Sequence, residues 1–343
     1  MQDKKSKYSI TPGEYAANVR KEDGYSGISE AIEYGDIDAV KRFIKDGADI
    51  HRLSSFFCNI SIHNDKTLHF LIEQGLDIFE DDMFMDFIIR RYEDDVRSYK
   101  EGGQPNRGGD RFSSERDIHN KYLGIIKAMV EHGYDVNKPM YAQCTPLRSV
   151  LLSKAVPELV FYLVEECSAD VNYAKYDIEE KYKQYADNAD EFGYDPVSID
   201  EFKECRPWSP LMRACRWNPG EESFEICKLL VRHGADVNYI SHEYAVDGEL
   251  EESSPLCNAI EHENIPVVQL LIESGADVNL TMHGTELWDD SDERSPLLVA
   301  LHAESIPIIK LLLENGAEIT DSVREYVDDE MQDNEEIREL LGM

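Results

Sequence analysis

A chain of 343 residues carrying 70 Asp and Glu against 35 Lys and Arg has a formal net charge of −35. Such a field argues against direct binding to nucleic-acid phosphates or anionic membrane surfaces, both of which need basic patches. With 42% hydrophobic residues the chain can bury a long core, yet no stretch approaches the roughly 18 consecutive apolar residues of a membrane-spanning helix.

Residues 1–25 are polar, with a basic run at Lys4, Lys5 and Lys7 and no apolar run of the kind a signal peptide needs. They are expected to be an N-terminal segment or cap. From 26 to 320 one unit recurs. Ser26, Ala31, Gly35-Asp36 and Gly47-Ala48-Asp49-Ile50 make the first copy, and Ser54–Ile78 is a degenerate second ending Gly75-Leu76-Asp77-Ile78. Gly133-Tyr134-Asp135-Val136-Asn137 closes a third. A fourth opens at Thr145-Pro146-Leu147 and closes at Ala169-Asp170-Val171-Asn172. The last three open at Ser209-Pro210-Leu211, Ser254-Pro255-Leu256 and Ser295-Pro296-Leu297. They close at Gly234-Ala235-Asp236-Val237-Asn238, Gly275-Ala276-Asp277-Val278-Asn279 and Gly316-Ala317-Glu318-Ile319.

Each opening is a helix start: the hydroxyl accepts from a free first-turn amide, and proline follows where an amide has no partner to lose. Ala214, Ala259 and Ala300, five residues past each serine, let two helices approach closely. A second apolar run follows, as in Ile226, Leu229, Leu230 and Val231, and a glycine ends it in the left-handed conformation that helix ends favour.

The spacing between closing signals locates four insertions. One near 96–116 contains Gly102-Gly103-Gln104-Pro105-Asn106-Arg107-Gly108-Gly109, which cannot hold a helix. The others, 173–207, 241–253 and 281–294, lie in the fingers between repeats, and part of the first, about 177–188, has a helical pattern. All three combine acidic residues with aromatics: Tyr173, Tyr176, Tyr182, Tyr185 and Tyr194 in the first, Tyr244 in the second, Trp288 in the third. Residues 321–343 are expected to form an acidic capping helix with an apolar stripe of Val323, Tyr326, Ile337, Leu340 and Leu341.

These signals resemble the ankyrin repeat, whose signature is Thr-Pro-Leu-His-x-Ala with Gly-Ala-Asp-Val-Asn at the end of the unit. Arg148, Met212, Cys257 and Leu298 replace the histidine of that signature. The resemblance implies an all-α solenoid of about seven stacked helix-turn-helix units with β-turn or hairpin fingers, forming one continuous domain. It also implies a protein that binds other proteins through its fingers and inner helices.

Catalytic patterns are missing: there is no Gly-rich phosphate loop, no Gly-x-Ser-x-Gly elbow and no His-Glu-x-x-His. His262 and His302 occupy nearly equivalent positions, with Glu261 and Glu304 nearby, but metal sites cluster their ligands more closely, so they are read as surface histidines. His132 and His233 precede closing glycines, where a helix C-terminus suits an imidazole. The pair Asp289-Asp290 is read as solvated charge. No catalytic, cofactor-binding or metal-binding residue is expected, and the protein is read as no enzyme. Seven scattered cysteines without a Cys-x-x-Cys pair point to a reducing compartment, hence a cytoplasmic location. The chain is expected to be monomeric when free.

The expected function is binding, and thereby neutralising or inhibiting, a basic partner protein through the acidic aromatic fingers and the concave face. An immunity protein, or an antagonist of a nuclease-like enzyme, fits that description. The residues expected to carry it are Tyr173, Tyr176, Tyr239, Tyr244, Glu249, Glu251, Trp288, Asp289, Asp290 and Asp292. Two alternatives remain open: a nucleic-acid-mimicking inhibitor, and a scaffold or effector adaptor whose charge is incidental.

Overall fold

The computed structural model describes residues 24–48, 62, 64–77, 83–102, 112–140, 143–153, 156–175, 177–245, 250–283 and 293–343. They fall into two compact units that divide after Tyr141.

The first unit is built from α1 (Gly24–Glu33), α2 (Ile37–Lys45), α3 (Asp65–Glu73), α4 (Phe84–Lys100) and α5 (Glu115–Glu131). Short polar side chains start three of them. Asp36 accepts from the Ala39 amide at 2.9 Å, Asn64 from Thr67 at 3.0 Å and Ser114 from Asp117 at 3.2 Å. Helix reaches into both ends of the expected 96–116 insertion, Val96–Lys100 from α4 and Glu115–Arg116 from α5. Both α4 and α5 run for 17 residues, because buried Ile88, Ile89, Tyr92 and Val96 carry the apolar stripe of α4 onward. Tyr92 stacks on Tyr122 at 5.1 Å, and the Tyr122 hydroxyl donates to Asp95 at 2.5 Å. The Gly-rich segment 103–111 lies outside the described residues, as do residues 1–23 and 54–61 at the start of the degenerate second copy.

The second unit opens with α6 (Pro146–Ser153) and α7 (Pro157–Phe161), which continues through a π-helical turn, Tyr162–Glu166. The first finger supplies α8 (Ile178–Phe192) and α9 (Ile199–Phe202). Three regular hairpins follow: α10 (Pro210–Cys215) with α11 (Glu221–Arg232), α12 (Pro255–Glu261) with α13 (Ile265–Glu273), and α14 (Pro296–His302) with α15 (Ile306–Glu314). Between them lie two antiparallel strand pairs, β1 (Ser241–Tyr244) with β2 (Leu250–Ser253) and β3 (Met282–His283) with β4 (Glu293–Arg294). The first helices α6, α10, α12 and α14 stack side by side as one layer, and α7, α11, α13 and α15 form the second.

The recurring opening caps the first layer. Ser209 accepts from the Met212 amide at 3.3 Å, Ser254 from Cys257 at 3.2 Å and Ser295 from Leu298 at 3.4 Å. Ala214, Ala259 and Ala300 are fully buried at the helix contacts. Gly234 and Gly275, at φ 86° and 92°, end α11 and α13 in a conformation that costs other residues a side-chain clash. The next amide then returns to the helix, Ala235 to the Leu230 carbonyl at 3.0 Å and Ala276 to Leu271 at 2.9 Å.

The closing Asp and Asn have separate tasks. Asp236 folds its carboxylate onto the Asn238 amide at 2.9 Å, fixing the turn. Asn238 then bridges to the following repeat: Nδ2 donates to the Gly275 carbonyl at 3.0 Å, and Oδ1 accepts from the Asp277 amide at 2.7 Å. Asn172 and Asn279 form the same two bonds with Gly234 and Asp236, and with Gly316 and Glu318. Asparagine clamps therefore lock the last four repeats to one another, adding polar registration to apolar stacking.

At the C-terminal side the expected single helix is two, α16 (Asp321–Glu330) and α17 (Glu335–Leu341). Asn334 starts the second by accepting from the Ile337 amide at 3.2 Å. Buried Val323, Val327, Ile337 and Leu341 form the apolar side of this pair.

Candidate functional site

The first finger folds on itself. Asp177 caps α8 through the Glu180 amide, and Gly193 at φ 80° ends it. Tyr185 and Phe202, each 5% exposed, stack at 5.1 Å and form a small core with Cys205, against which Ile178, Tyr182, Tyr194, Val197 and Tyr244 pack. Hydroxyls close it: Tyr182 donates to the Val197 carbonyl, Tyr194 to the Tyr185 carbonyl, and the Tyr185 oxygen accepts from the Val197 amide. Burial pushes the Cys205 thiol up to about 11. The sequence places these tyrosines on loops, as aromatics offered to a partner. The structure corrects that placement: in so acidic a segment they are the apolar surface from which a core can be made.

The second finger rises from the first. Arg206 and His242 exchange both backbone hydrogen bonds, at 2.9 and 2.8 Å, so the insertion is stitched to β1. In the hairpin Ser241 faces Ser253, His242 faces Glu252, Glu243 faces Glu251 and Tyr244 faces Leu250. Tyr244 turns onto the first finger's core, its ring 5.2 Å from Tyr185 and 5.9 Å from Phe202.

Glu252 joins the second finger to the third. Its carboxylate takes the His242 Nδ1 at 2.9 Å and the His283 amide at 2.9 Å, and its backbone carbonyl takes Arg294 at 3.0 Å. Burial works to raise this carboxyl, but the His283 amide and the His242 imidazole outweigh it and hold it below the usual range. Arg294 also pairs with Glu261 of α12. Part of the finger acidity is therefore spent on spacing the fingers.

Of the residues singled out in the sequence, Tyr173, Tyr239, Tyr244 and Glu251 are described, and Tyr176, Glu249, Trp288, Asp289, Asp290 and Asp292 lie outside the described residues. Tyr173 donates to the Gln143 side chain at 3.2 Å and Tyr239 to the Pro207 carbonyl at 2.8 Å. Burial raises both phenols, opposed at Tyr173 by the positive charge of Arg148 and at Tyr239 by that of Arg206 and then Arg148. Glu251 is exposed. Its neighbour Glu243, which the sequence did not single out, is the more unusual carboxyl. Burial pushes it up to about 7, against the pull of Arg148 and of the Trp208 amide that donates to it. A cleft of about 260 Å³ lies here, lined by Lys181, Gln184, Tyr185, Phe202, Glu243 and Tyr244 among others.

Arg148, whose charge acts on Glu243, belongs to a group of three arginines with Arg213 and Arg216. Arg148 of α6 is 7% exposed and donates to the Lys175 carbonyl at 2.7 Å. The guanidinium carbons of Arg216 and Arg213 lie 4.6 and 5.9 Å from the Trp208 ring centre. Sequence reading passed over this group because its members come from separate repeats.

Among the described residues no three His, Cys, Asp or Glu side chains gather as a metal site. His262 is engaged with the Asn258 carbonyl at 3.1 Å, and the His302 ring lies 4.3 Å from that of Tyr326. His132 and His233 are the C-cap residues directly after α5 and α11, and the His132 ring meets His69 at 2.8 Å. Among the described residues no helix is long and apolar enough to cross a membrane.

Paired helices in two layers, with hairpin fingers and left-handed glycines at the unit ends, define a helical repeat protein. A family profile described as ankyrin repeats (3 copies) matches residues 193–282 and 240–323. Residues 193–323 thus match the ankyrin-repeat family, and the mostly helical paired elements agree with an all-α repeat architecture. Such repeats are protein–protein interaction modules and are generally non-catalytic, so a protein partner follows. No curated protein matches the chain.

Proposed function

We propose that this protein is a non-enzymatic inhibitor that captures a positively charged protein partner with its three elongated fingers and the first-helix layer from which they rise. One observation carries the proposal: the acid excess concentrates in consecutive fingers. Residues 173–207 hold ten Asp and Glu against five Lys and Arg, 241–253 hold five against none, and 281–294 hold five against one. The Arg206–His242 bridge and the Glu252 network tie the described parts of the fingers to one another, which supports reading the fingers as one binding surface. A field of this kind speeds encounter with a cationic protein, while aromatic edges and the cleft beside Tyr244 offer contact once it has arrived.

Neutralisation is preferred to scaffolding because one dedicated charged surface fits one kind of target. A basic enzyme such as a nuclease would suit it, and the protein would then act as an immunity protein or an antagonist. Mimicry of a phosphate track fits less well, since the layer beneath the fingers carries Arg148, Arg213 and Arg216. The test is affinity capture from a lysate of the source organism at low and high salt, followed by mass spectrometry and activity assays on what is retained. A basic enzyme that is held at low salt and inhibited supports the proposal. Acidic or uncharged partners held without salt dependence would leave only an adaptor role.

A further inference from the structure

The hairpin of α10 and α11 holds two thiols in contact. Cys215 ends α10, Cys227 lies midway along α11, and their sulfurs are 4.0 Å apart, both fully buried and both free. The two hairpins that follow fill the matching places with branched aliphatic side chains. Six residues after the capping serine stand Ile260 and Leu301, and seven before the closing glycine stand Val268 and Ile309, all fully buried. Cysteine fills less space than any of these, so packing alone would favour the larger side chains at both positions.

The turn between the two helices also departs from its neighbours. Residues 216–220 make five, with Pro219 and Gly220 among them, where 262–264 and 303–305 make three. Trp217 holds this longer turn down, its indole N–H donating to the Leu151 carbonyl at 3.1 Å. While the hairpin is closed the pair is inert. Thiolate is the reactive form, and burial, followed by the adjoining Cys227 thiol, pushes the Cys215 thiol well above its ordinary range. Helix ends and long turns are the parts of a fold that open locally at least cost, and Cys215 stands where the two meet.

We propose that Cys215 and Cys227 form a redox-responsive staple, closed by a low-molecular-weight disulfide that reaches Cys215 when the turn opens. Once in water the Cys215 thiol gives up its proton, and its thiolate attacks one sulfur of the reagent. A protein–reagent disulfide forms and the first reagent thiolate leaves. Cys227, deprotonated in turn, attacks the Cys215 sulfur and expels the second reagent thiolate. Two protein thiols are oxidised, and the reagent is reduced to two thiols that take up the two protons. A disulfide needs about 2 Å between its sulfurs, so a hairpin that already sets them 4.0 Å apart brings Cys227 within reach as it recloses. The staple ties the first-helix layer to the second within one repeat and slows further opening there. Excess thiol reverses it.

The test incubates the full chain with oxidised glutathione, alkylates the remaining thiols and digests with trypsin for mass spectrometry. Cleavage after Arg213, Arg216 and Lys228 puts Cys215 and Cys227 in separate peptides, 214–216 and 217–228. The two should be recovered joined, and dithiothreitol should part them. Trp217→Phe, which loses the indole bond to Leu151, should join them several-fold faster. In the joined form, amides of α10 and α11 should exchange about tenfold more slowly or less, with α12 to α15 unchanged. Recovery of the two cysteines only as glutathione adducts or alkylated thiols, joined chiefly to other cysteines, or joined only when the whole chain is unfolded would each overturn the inference. So would a joined form whose α10 and α11 exchange as before, or Trp217→Phe reacting no faster than the wild type. None of these readings involves a partner, so they stand apart from the proposed function.

Discussion

Replacing Tyr244 with alanine removes the ring that fastens the first finger's helical insertion to the second finger. That ring lies 5.2 Å from Tyr185, 5.9 Å from Phe202 and 6.2 Å from His242. The two aromatic neighbours contribute roughly 0.5–1.5 kcal/mol each beyond area burial, and a half-buried ring of this size adds about 1 kcal/mol. The expected loss is therefore about 2–4 kcal/mol. It falls on the insertion, because the repeats keep their caps, their stacked helices and their asparagine clamps. Hydrogen exchange should show amides of α8 and α9 opening about 30- to 1000-fold more often, with α10 to α15 unchanged. Global melting should move little. Tyr244→Phe is the control, since among the described residues the hydroxyl has no hydrogen-bond partner, and it should behave as the wild type. If exchange in 178–202 is unaffected by Tyr244→Ala, the aromatic cluster does not hold the insertion. Accelerated exchange spread evenly over the repeats would contradict the local account.

Asn238→Ala deletes the bonds to Gly275 and Asp277. Because the site is exposed, urea unfolding should show a loss of about 1–2 kcal/mol, with Asn238→Asp also destabilising because it turns a donor into an acceptor facing the Gly275 carbonyl. Glu243 supplies a pH signature. Its folded pKa of about 7 lies above its ordinary value of 4.5, so the folded state binds more protons between these values and stability falls as pH rises through that window. Glu243→Gln should therefore match the wild type below about pH 4.5 and gain stability as pH rises. The gain should level off above pH 7 at of order 1 kcal/mol, smaller than full linkage would give because the group is only half-buried.

What the sequence disclosed was mostly local. A serine followed by proline and leucine fixes a helix start within one turn, and a glycine after an apolar run fixes an end, so the last three hairpins fall where their signals stand. The recurring asparagine was visible as a motif residue, but its role as a clamp needs the neighbouring repeat in place. The finger tyrosines misled for a related reason. Tyr185, Phe202 and Tyr244 are far apart along the chain and meet only because β1 is bridged to Arg206. Arg148 and Arg213 likewise become neighbours only when α6 stacks on α10. In the sequence the C-terminal pair reads as one helix because Val323, Tyr326, Ile337, Leu340 and Leu341 suggest a single apolar stripe, whereas Asn334 caps a second start. Most of the finger acids singled out for partner binding, Asp289, Asp290 and Asp292 among them, lie outside the described residues.

Capture compared across three forms of the protein bears most directly on the claim that the fingers recognise a basic partner. These are the wild type, a finger variant with Asp289, Asp290 and Asp292 changed to asparagine, and a C-terminal variant with Asp328, Asp329 and Glu330 changed to their amides. Stopped-flow association with the captured protein should slow steeply with salt for the wild type, since surface charges act on encounter. The finger variant should associate several-fold more slowly at low salt with a flattened salt dependence, while the C-terminal variant tracks the wild type. Equal effects from the two variants, or a wild-type rate that ignores salt, would contradict the account.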